Sequence, residues 1–293
     1  MKKVVRKQKD IKKSKINKRL NKYRETLGKP NTKDLTTKDL ERIVRMDFLS
    51  SDSLEFYKNI SILNELLFEK GSRLRLDKDN LVESCVKPKE DKYFTKNELK
   101  QICNKLINYQ DKFILYALFK GIKGKACEDL LSIKIEDVSK DFTYIKIRDN
   151  LVFTDDILKE YLKGLVDEKA YIRETFKGER YIEEYNLDNP YLLKPLPSKV
   201  NGNKVEKMTS ETLRTRLNKI SDLLFINYNQ RVALIPMKLY YSGIMFDMFE
   251  KETTEGIKWN ISKIKEYSKA KGYSIKPYEV YTKYYNKYHK DNS

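Results

Sequence analysis

The sequence predicts a mainly α-helical protein of two domains, with a small β-hairpin in the second domain. Apolar residues recur at helical spacing along most of the chain, and one pair of β-prone runs flanks a turn. A chain of 293 residues also exceeds the usual size of one small domain. The hydrophobic content of 40% is sufficient for a buried core in each domain.

Residues 1–30 are predicted to form a basic arm. They hold 13 lysines and arginines but only two acidic residues. Apolar residues at helical spacing favour a helix over residues 11–27, which Gly28 and Pro30 end. An arm with this charge suits a polyanion, because each neutralised phosphate releases counterions. The candidate phosphate contacts in the arm are Lys12, Lys13, Arg19 and Lys22.

Residues 31–90 are predicted to form a small helical domain. One helix opens at residues 36–39 and runs through Leu49, and a second follows a cap at residues 51–53 and ends at Gly71. Residues 86–93 have no apolar periodicity and are predicted to be a linker.

Residues 91–293 form the larger predicted domain. Thr95 and Glu98 have the spacing of a capping box at the start of a helix of about 13 residues. The turn residues 148–150 separate two β-prone runs and predict a hairpin. We expect a buried helix over residues 112–120, a helix after Asp155, a long irregular connection over residues 173–210, and large helices over residues 209–224, 236–249 and 258–270.

Composition excludes several classes of protein. No apolar run approaches the ~18 residues of a transmembrane helix, and the arm lacks the apolar core of a signal peptide. The three cysteines are widely spaced and the single histidine is His289, so the sequence predicts no metal site, no disulfide framework and no cofactor. The net charge of +18 favours nucleic acid as partner.

Three segments, in this order, resemble the conserved boxes of the tyrosine recombinase (phage integrase) family. The first, residues 121–138, has a glycine turn, an acidic helix start, Leu130-Leu131-Ser132-Ile133, and an aspartate before the hairpin. The second, residues 235–243, is similar to the box that normally reads His-x-x-Arg-His-Ser. The third, residues 272–283, places Tyr281 at the nucleophile. Residues 31–85 are similar to the family's core-binding domain, so the resemblance implies a two-domain clamp around DNA.

The departures from the family pattern bear on activity. The resemblance implies arginines, histidines and a lysine around the nucleophile, which would stabilise the charged phosphate and move protons. The lost catalytic positions are occupied here by Ala126, Met237, Tyr240 and Tyr273. The hairpin offers only Lys146 or Arg148 in place of the catalytic lysine. Tyr281 is therefore interpreted as a vestigial nucleophile, in an aromatic stripe of Tyr278, Tyr281, Tyr285 and Tyr288.

Double-stranded DNA remains the expected partner. The candidate DNA contacts in the larger domain are Lys123, Lys125, Arg148, Arg214, Arg216, Lys219 and Lys238. The lysines are expected to bind phosphates, whereas Arg214 or Arg216 is expected to read bases.

The chain most resembles the recombinase-like repressors of SPβ-type Bacillus phages. We therefore expect a catalytically inactive, sequence-specific repressor that maintains lysogeny in the cytoplasm of the bacterial host, at the nucleoid. Self-association or a phage regulatory protein is a further expected partner. Two alternatives stay open: an active or partly active integrase that uses Tyr281, and an architectural factor that assists a separate recombinase.

Overall fold

The computed structural model describes residues 2–47, 53–85, 93–174, 180–196, 207–228, 230 and 232–289. Helices account for most of this part of the chain, which confirms the predicted mainly α fold class. The chain forms two compact units. Unit 1 comprises Met1–Glu90 and Asp222–Arg231, and unit 2 comprises Asp91–Ser221 and Val232–Ser293.

Unit 1 contains four helices from the first part of the chain: α1 (Lys2–Thr26), α2 (Thr37–Asp47), α3 (Ser53–Glu69) and α4 (Lys78–Cys85). Their shared core includes Ile16 and Leu20 of α1 together with Leu40, Ile43 and Leu63. The predicted arm thus differs from a flexible extension, because Ile16 and Leu20 are buried and α1 packs against α2 and α3. The predicted linker, residues 86–93, lies outside the described residues except for Tyr93.

Unit 2 begins with α5 (Lys96–Asn104) and α6 (Tyr109–Phe119). The predicted capping box is confirmed: the backbone N–H of Glu98 donates to the Thr95 hydroxyl, and the backbone N–H of Thr95 donates to the Glu98 carboxylate. The helix that it opens has 9 residues, which is shorter than predicted. Nearly all of α6 is buried, and a short helix, α7 (Glu128–Leu131), follows it.

The predicted hairpin is confirmed as β1 (Tyr144–Ile147) paired with β2 (Asn150–Phe153). After α8 (Asp156–Asp167), a second antiparallel hairpin joins β3 (Ala170–Glu174) to β4 (Arg180–Glu184). The prediction of an irregular connection was wrong for these residues. Both strands carry charged residues, β3 is mostly half-buried and β4 is largely solvent-exposed, so neither strand shows the strict alternation of apolar and polar residues that predicts a strand.

Unit 2 also contains residues 210–221 of α9 (Ser210–Tyr228), followed by α10 (Pro236–Glu255), α11 (Ile261–Ala270) and α12 (Pro277–Tyr288). Gly243 brings α10 close to α6, because a Cβ atom there would collide with the carbonyl oxygen of Phe119. Ser242 is fully buried and accepts the backbone N–H of Phe94 at 2.9 Å. These two residues of the second box therefore have structural roles in the packing of α10. Within the described residues, no helix is long and apolar enough to cross a membrane.

Candidate nucleic-acid interface

The first box forms a tight turn between α6 and α7. Its residues Gly121, Gly124, Ala126 and Cys127 all have φ between 51° and 88°, where side chains other than glycine are strained. Glycine is required at position 124 because the Asp129 carboxylate occupies the space of a Cβ atom. Ala126, at the position of the first lost arginine, is exposed.

Two lysines flank this turn, and a third cation, in the β1–β2 hairpin, is connected to it by an ion pair. The Lys123 ammonium donates to the Gly124 carbonyl at 3.1 Å and lies 5.5 Å from the centre of the Tyr240 ring. Lys125 is exposed. Arg148, in the β1–β2 turn, has φ 55° and pairs with Asp129 at 2.7 Å. Asp129 therefore connects the turn to the hairpin. The only indication of this contact in the sequence is Gly124, whose missing side chain leaves room for the Asp129 carboxylate.

The second box places a neutral aromatic ring beside these cations. Met237 is 40% exposed at the start of α10, whereas Tyr240 is buried. Burial raises the pKa of Tyr240 to about 12, with a smaller opposing effect from the Ser274 backbone. A neutral phenol at this position can donate one hydrogen bond, but it supplies none of the charge of the arginine that the resemblance to tyrosine recombinases implies here.

Tyr273 continues the aromatic cluster. Its ring lies edge-on to Tyr240 at 5.9 Å between ring centres, and a Cβ atom on Gly121 would lie 3.3 Å from its Cε1 atom. Burial, and to a smaller extent the nearby Asp247, raises the pKa of Tyr273 to about 12. The position of the lost histidine or tryptophan is thus filled by a phenol that stays neutral at physiological pH.

Tyr281 belongs to the same hydrophobic cluster as Tyr240 and Tyr273. It is half-buried, and its ring lies 4.8 Å from that of Tyr285. A hydrogen bond with the Tyr281 hydroxyl is the largest cause of a raised pKa at Tyr285. The aromatic neighbour of Tyr281 is therefore another phenol, which cannot act as a strong general base at neutral pH.

The predicted aromatic stripe on α12 needs correction. The fully buried residues of this helix are Val280 and Tyr284, and the Tyr284 hydroxyl donates to the Glu252 carboxylate. Tyr278 is largely exposed, whereas Tyr281 and Tyr288 flank the buried line. Tyrosines do recur on α12 at the predicted three- and four-residue spacing, but so many of them occupy this helix that the sequence did not distinguish its inner face.

The cations predicted on α9 divide into two groups. Arg214 and Lys219 are exposed. Arg214 and Lys123 both act electrostatically on the buried Cys127 thiol, although burial is the larger effect and raises the pKa of that thiol. A cationic group thus lies around the first-box turn. We call its members, Lys123, Lys125, Arg148 and Arg214, the turn cations.

The predicted DNA contact on α10, Lys238, is half-buried near the start of that helix.

Arg216 is not part of this surface, and the prediction that it contacts DNA was wrong. It is 5% exposed, its Nε donates to Asp111 Oδ1 at 2.5 Å, and its guanidinium lies 4.5 Å from the centre of the Tyr171 ring. A guanidinium buried between a carboxylate and an aromatic ring is not available to a base edge.

The four predicted phosphate contacts on α1 lie on two different faces of the helix. Lys12 pairs with Glu55 at 2.6 Å, and Lys13 pairs with Glu65 at 3.1 Å and with Glu69 at 2.5 Å. These two lysines therefore neutralise acidic residues of α3. Arg19 and Lys22 lie on the exposed face of α1 together with Lys15 and Lys18.

The three boxes meet in unit 2, where an alanine, a methionine, the buried Tyr240 and the half-buried Tyr273 occupy the positions at which the resemblance implies catalytic residues. Together with the mainly helical fold, these features define the class as tyrosine-recombinase-like. Residues 93–288 match the model of the family described as "MrpR, C-terminal catalytic domain". Because this match covers well over half of the chain, the chain belongs to that family.

Two further proteins are similar to this chain. The SPbeta prophage-derived uncharacterized protein YopR of Bacillus subtilis (strain 168) is 26% identical over 175 residues, which are 56% of this chain and 51% of that protein. The chain thus spans about half the length of this curated relative. A solved structure, "Crystal structure of XerA recombinase", is 16% identical with a TM-score of 0.33, over 81% of this chain and 77% of that one.

Proposed function

We propose that this chain is a sequence-specific double-stranded DNA-binding protein that retains the recombinase scaffold without strand cleavage. The observation that carries this proposal is that two packed, neutral tyrosines, Tyr240 and Tyr273, occupy positions at which the resemblance implies catalytic residues. Losing one preorganised donor to a charged transition state typically costs about 3–4 kcal/mol. Several such donors are replaced here, so we expect cleavage near background even though the losses are not additive.

DNA binding is supported by the charges that remain. The turn cations lie around the first-box turn, where the resemblance to tyrosine recombinases implies a bound phosphate, and a lysine or arginine there can bind a DNA phosphate without any catalytic group. The exposed face of α1 adds further cations. We infer a transcriptional repressor that maintains the lysogenic state of a phage, a role that agrees with the prophage origin of the similar protein in Bacillus subtilis.

The first experiment tests cleavage directly. The full chain is incubated with a nicked suicide duplex that contains a site selected from phage DNA, and covalent protein–DNA adducts are separated by denaturing electrophoresis. We expect no adduct from the wild-type chain, and unchanged DNA affinity for Tyr281→Phe. Tyr285→Phe is the matched control, because it removes the partner hydroxyl of the same pair. An adduct that disappears in Tyr281→Phe alone would establish an active recombinase.

The second experiment tests repression. A promoter that carries the selected site drives a reporter, and we expect the wild-type chain and Tyr281→Phe to repress it equally. Tight, specific binding without repression would instead favour the architectural factor.

A further inference from the structure

A cationic pocket lies in unit 1, in the connection between α3 and α4. Gly71 ends α3 with φ 73°, and its N–H donates to the Phe68 carbonyl at 2.9 Å. Residues 72–77 then run without helix or strand to α4. Leu74 and Leu76 face the core of unit 1, so the alternate residues Arg73 and Arg75 are exposed.

The connection is held firmly against α3. The Asn64 side-chain amide donates to the Leu76 carbonyl, and the Leu76 N–H donates to the Asn64 amide oxygen, both at 2.9 Å. The Leu74 N–H donates to the Ser72 hydroxyl at 3.3 Å. The two arginines therefore project from a fixed backbone, which reduces the entropy lost when they bind a partner.

A third cation reaches the same place. A Cβ atom on Gly71 would lie 2.8 Å from the Cε atom and 3.3 Å from the Nζ atom of Lys33, so the lysine side chain lies directly over this glycine. Gly71, Arg73 and Arg75 line a pocket of about 300 Å³ together with Phe68 and Ser72.

These three cations have no acidic partner among the described residues. Elsewhere in unit 1, by contrast, Lys12, Lys13 and Lys29 form ion pairs with carboxylates. Three neighbouring positive charges without a carboxylate repel one another, and an anion relieves that repulsion. The pocket therefore has the chemistry of a phosphate site.

The spacing indicates a polyanion. Residues two apart in an extended segment lie about 6.6 Å apart, a distance comparable to that between successive phosphates of one DNA strand. Guanidinium groups bind phosphate oxygens through paired hydrogen bonds, and the ammonium adds a point charge. We propose that Lys33, Arg73 and Arg75 form a phosphate-binding site that holds adjacent phosphates of one DNA strand. This inference rests on the proposed DNA-binding function.

The test compares two double variants of the full chain. Arg73→Ala/Arg75→Ala removes the two arginines of the site. Arg45→Ala/Arg180→Ala removes two exposed arginines on α2 and β4 and serves as the charge-matched control. Affinity is measured for a selected phage site and for an unrelated duplex at several salt concentrations, after circular dichroism has confirmed folding.

We expect Arg73→Ala/Arg75→Ala to weaken binding to both duplexes by a similar factor. The slope of log affinity against log salt should become shallower by about 1.8, since each phosphate contact contributes about 0.9. The control should change that slope much less. Arg73→Lys/Arg75→Lys should retain most of the slope, because the charges remain.

Several outcomes would overturn the proposal. Unchanged affinity and slope would show that the pocket does not contact DNA, while the proposed function would stand. A loss confined to the selected site would assign base reading to these arginines, and an equal loss in the control would assign the effect to net charge. If inorganic phosphate at constant ionic strength raised the melting temperature, and only the wild-type chain responded, the ligand would be a small anion. A wild-type chain that bound no DNA would refute the proposed function as well.

Discussion

At the scale of single residues, Arg216 shows how burial changes the role of a charge. Its guanidinium lies in the core of unit 2 with Asp111 and Tyr171, and its Nη atoms have no hydrogen-bond partner among the described residues. A buried ion pair is weak evidence for net stability, but removing one partner leaves an uncompensated charge. The role of Arg216 is therefore structural.

Arg216→Ala is expected to lower the free energy of unfolding by about 3–5 kcal/mol, because it leaves the Asp111 carboxylate buried and unpaired. Arg214→Ala, two residues away on the exposed face, should change stability by less than about 0.5 kcal/mol while it weakens DNA binding. Urea unfolding followed by circular dichroism measures the first effect, and a binding titration measures the second. A stable Arg216→Ala variant with impaired DNA binding would contradict this assignment.

Asp39 provides a pH-dependent contribution to unit 1. Its carboxylate accepts from Lys29 at 2.5 Å and from the Thr36 N–H at 2.7 Å. Hydrogen bonding to Lys29 is the largest cause of lowering its pKa from 3.8 to about 2. Because the folded-state pKa is the lower one, this stabilisation is complete above pH 3.8 and is lost as the pH falls towards 2.

Asp39→Asn should therefore lower the free energy of unfolding by about 1–2 kcal/mol at pH 6, with little difference from the wild-type chain near pH 2. Lys29→Met should reproduce most of this effect and its pH dependence. The measurement is urea unfolding between pH 2 and pH 6. A constant difference over that range would show that packing, and not ionisation, makes the contribution.

At the scale of elements, the sequence predicted those structures that depend on residues close together in the chain. The Thr95 capping box and the β1–β2 hairpin depend on residues that are close together in the sequence, and both predictions are confirmed. The β3–β4 hairpin and the burial of Arg216 depend on distant partners. Arg216 meets Asp111 across 105 residues of sequence, so its position on α9 looks like an ordinary solvated one.

The candidate site follows the same division. Lys123, Lys125 and Arg148 could be predicted from the glycine turn and the hairpin, because each lies within a short sequence motif. Arg214 could be predicted only as a cation of α9. Lys33, Arg73 and Arg75 were missed because their convergence depends on how α3 ends at Gly71. The alternation of arginine with leucine over residues 73–76 was the available signal, since it places both arginines on one side of an extended segment.

Helix α1 has two roles on different faces: one face packs against α3, and the other exposes cations to solvent. We expect Lys15→Ala/Lys18→Ala to weaken DNA binding and reduce its salt dependence, because both side chains are exposed on the face that also carries Arg19 and Lys22. Lys12→Ala/Lys13→Ala should have a smaller effect on DNA, since these lysines already neutralise glutamates of α3. Binding titrations at several salt concentrations distinguish the pairs. Equal effects would mean that only total charge matters.

Deleting residues 1–30 would not test this role cleanly. Ile16 and Leu20 of α1 are buried in the core of unit 1, so the deletion would expose their apolar partners on the other helices. Burying an aliphatic side chain is worth about 1.5–3 kcal/mol. The loss of unit 1 structure would then be indistinguishable from the loss of phosphate contacts.

At the scale of the whole molecule, the charge is distributed in separate groups. The exposed face of α1 and the pocket of Lys33, Arg73 and Arg75 belong to unit 1, whereas the turn cations belong to unit 2. DNA affinity that draws on all three groups should depend steeply on salt, because the number of released counterions increases with the number of phosphates contacted.

The three cysteines lead to a different kind of measurement. Cys85 is buried in unit 1, and Cys103 and Cys127 are buried in unit 2. Burial raises the pKa of Cys103 to about 12, so this thiol reacts with an alkylating reagent only after its surroundings open. Each unit thus carries its own chemical reporter of unfolding.

Pulsed alkylation across a urea series, followed by peptide mass spectrometry, would record when each thiol becomes reactive. Because unit 1 has a hydrophobic core of its own, we expect Cys85 and Cys103 to become reactive at different urea concentrations. Identical profiles would show that the protein opens as one cooperative block. With DNA present, a delay shared by both thiols would show that one bound duplex stabilises both units together.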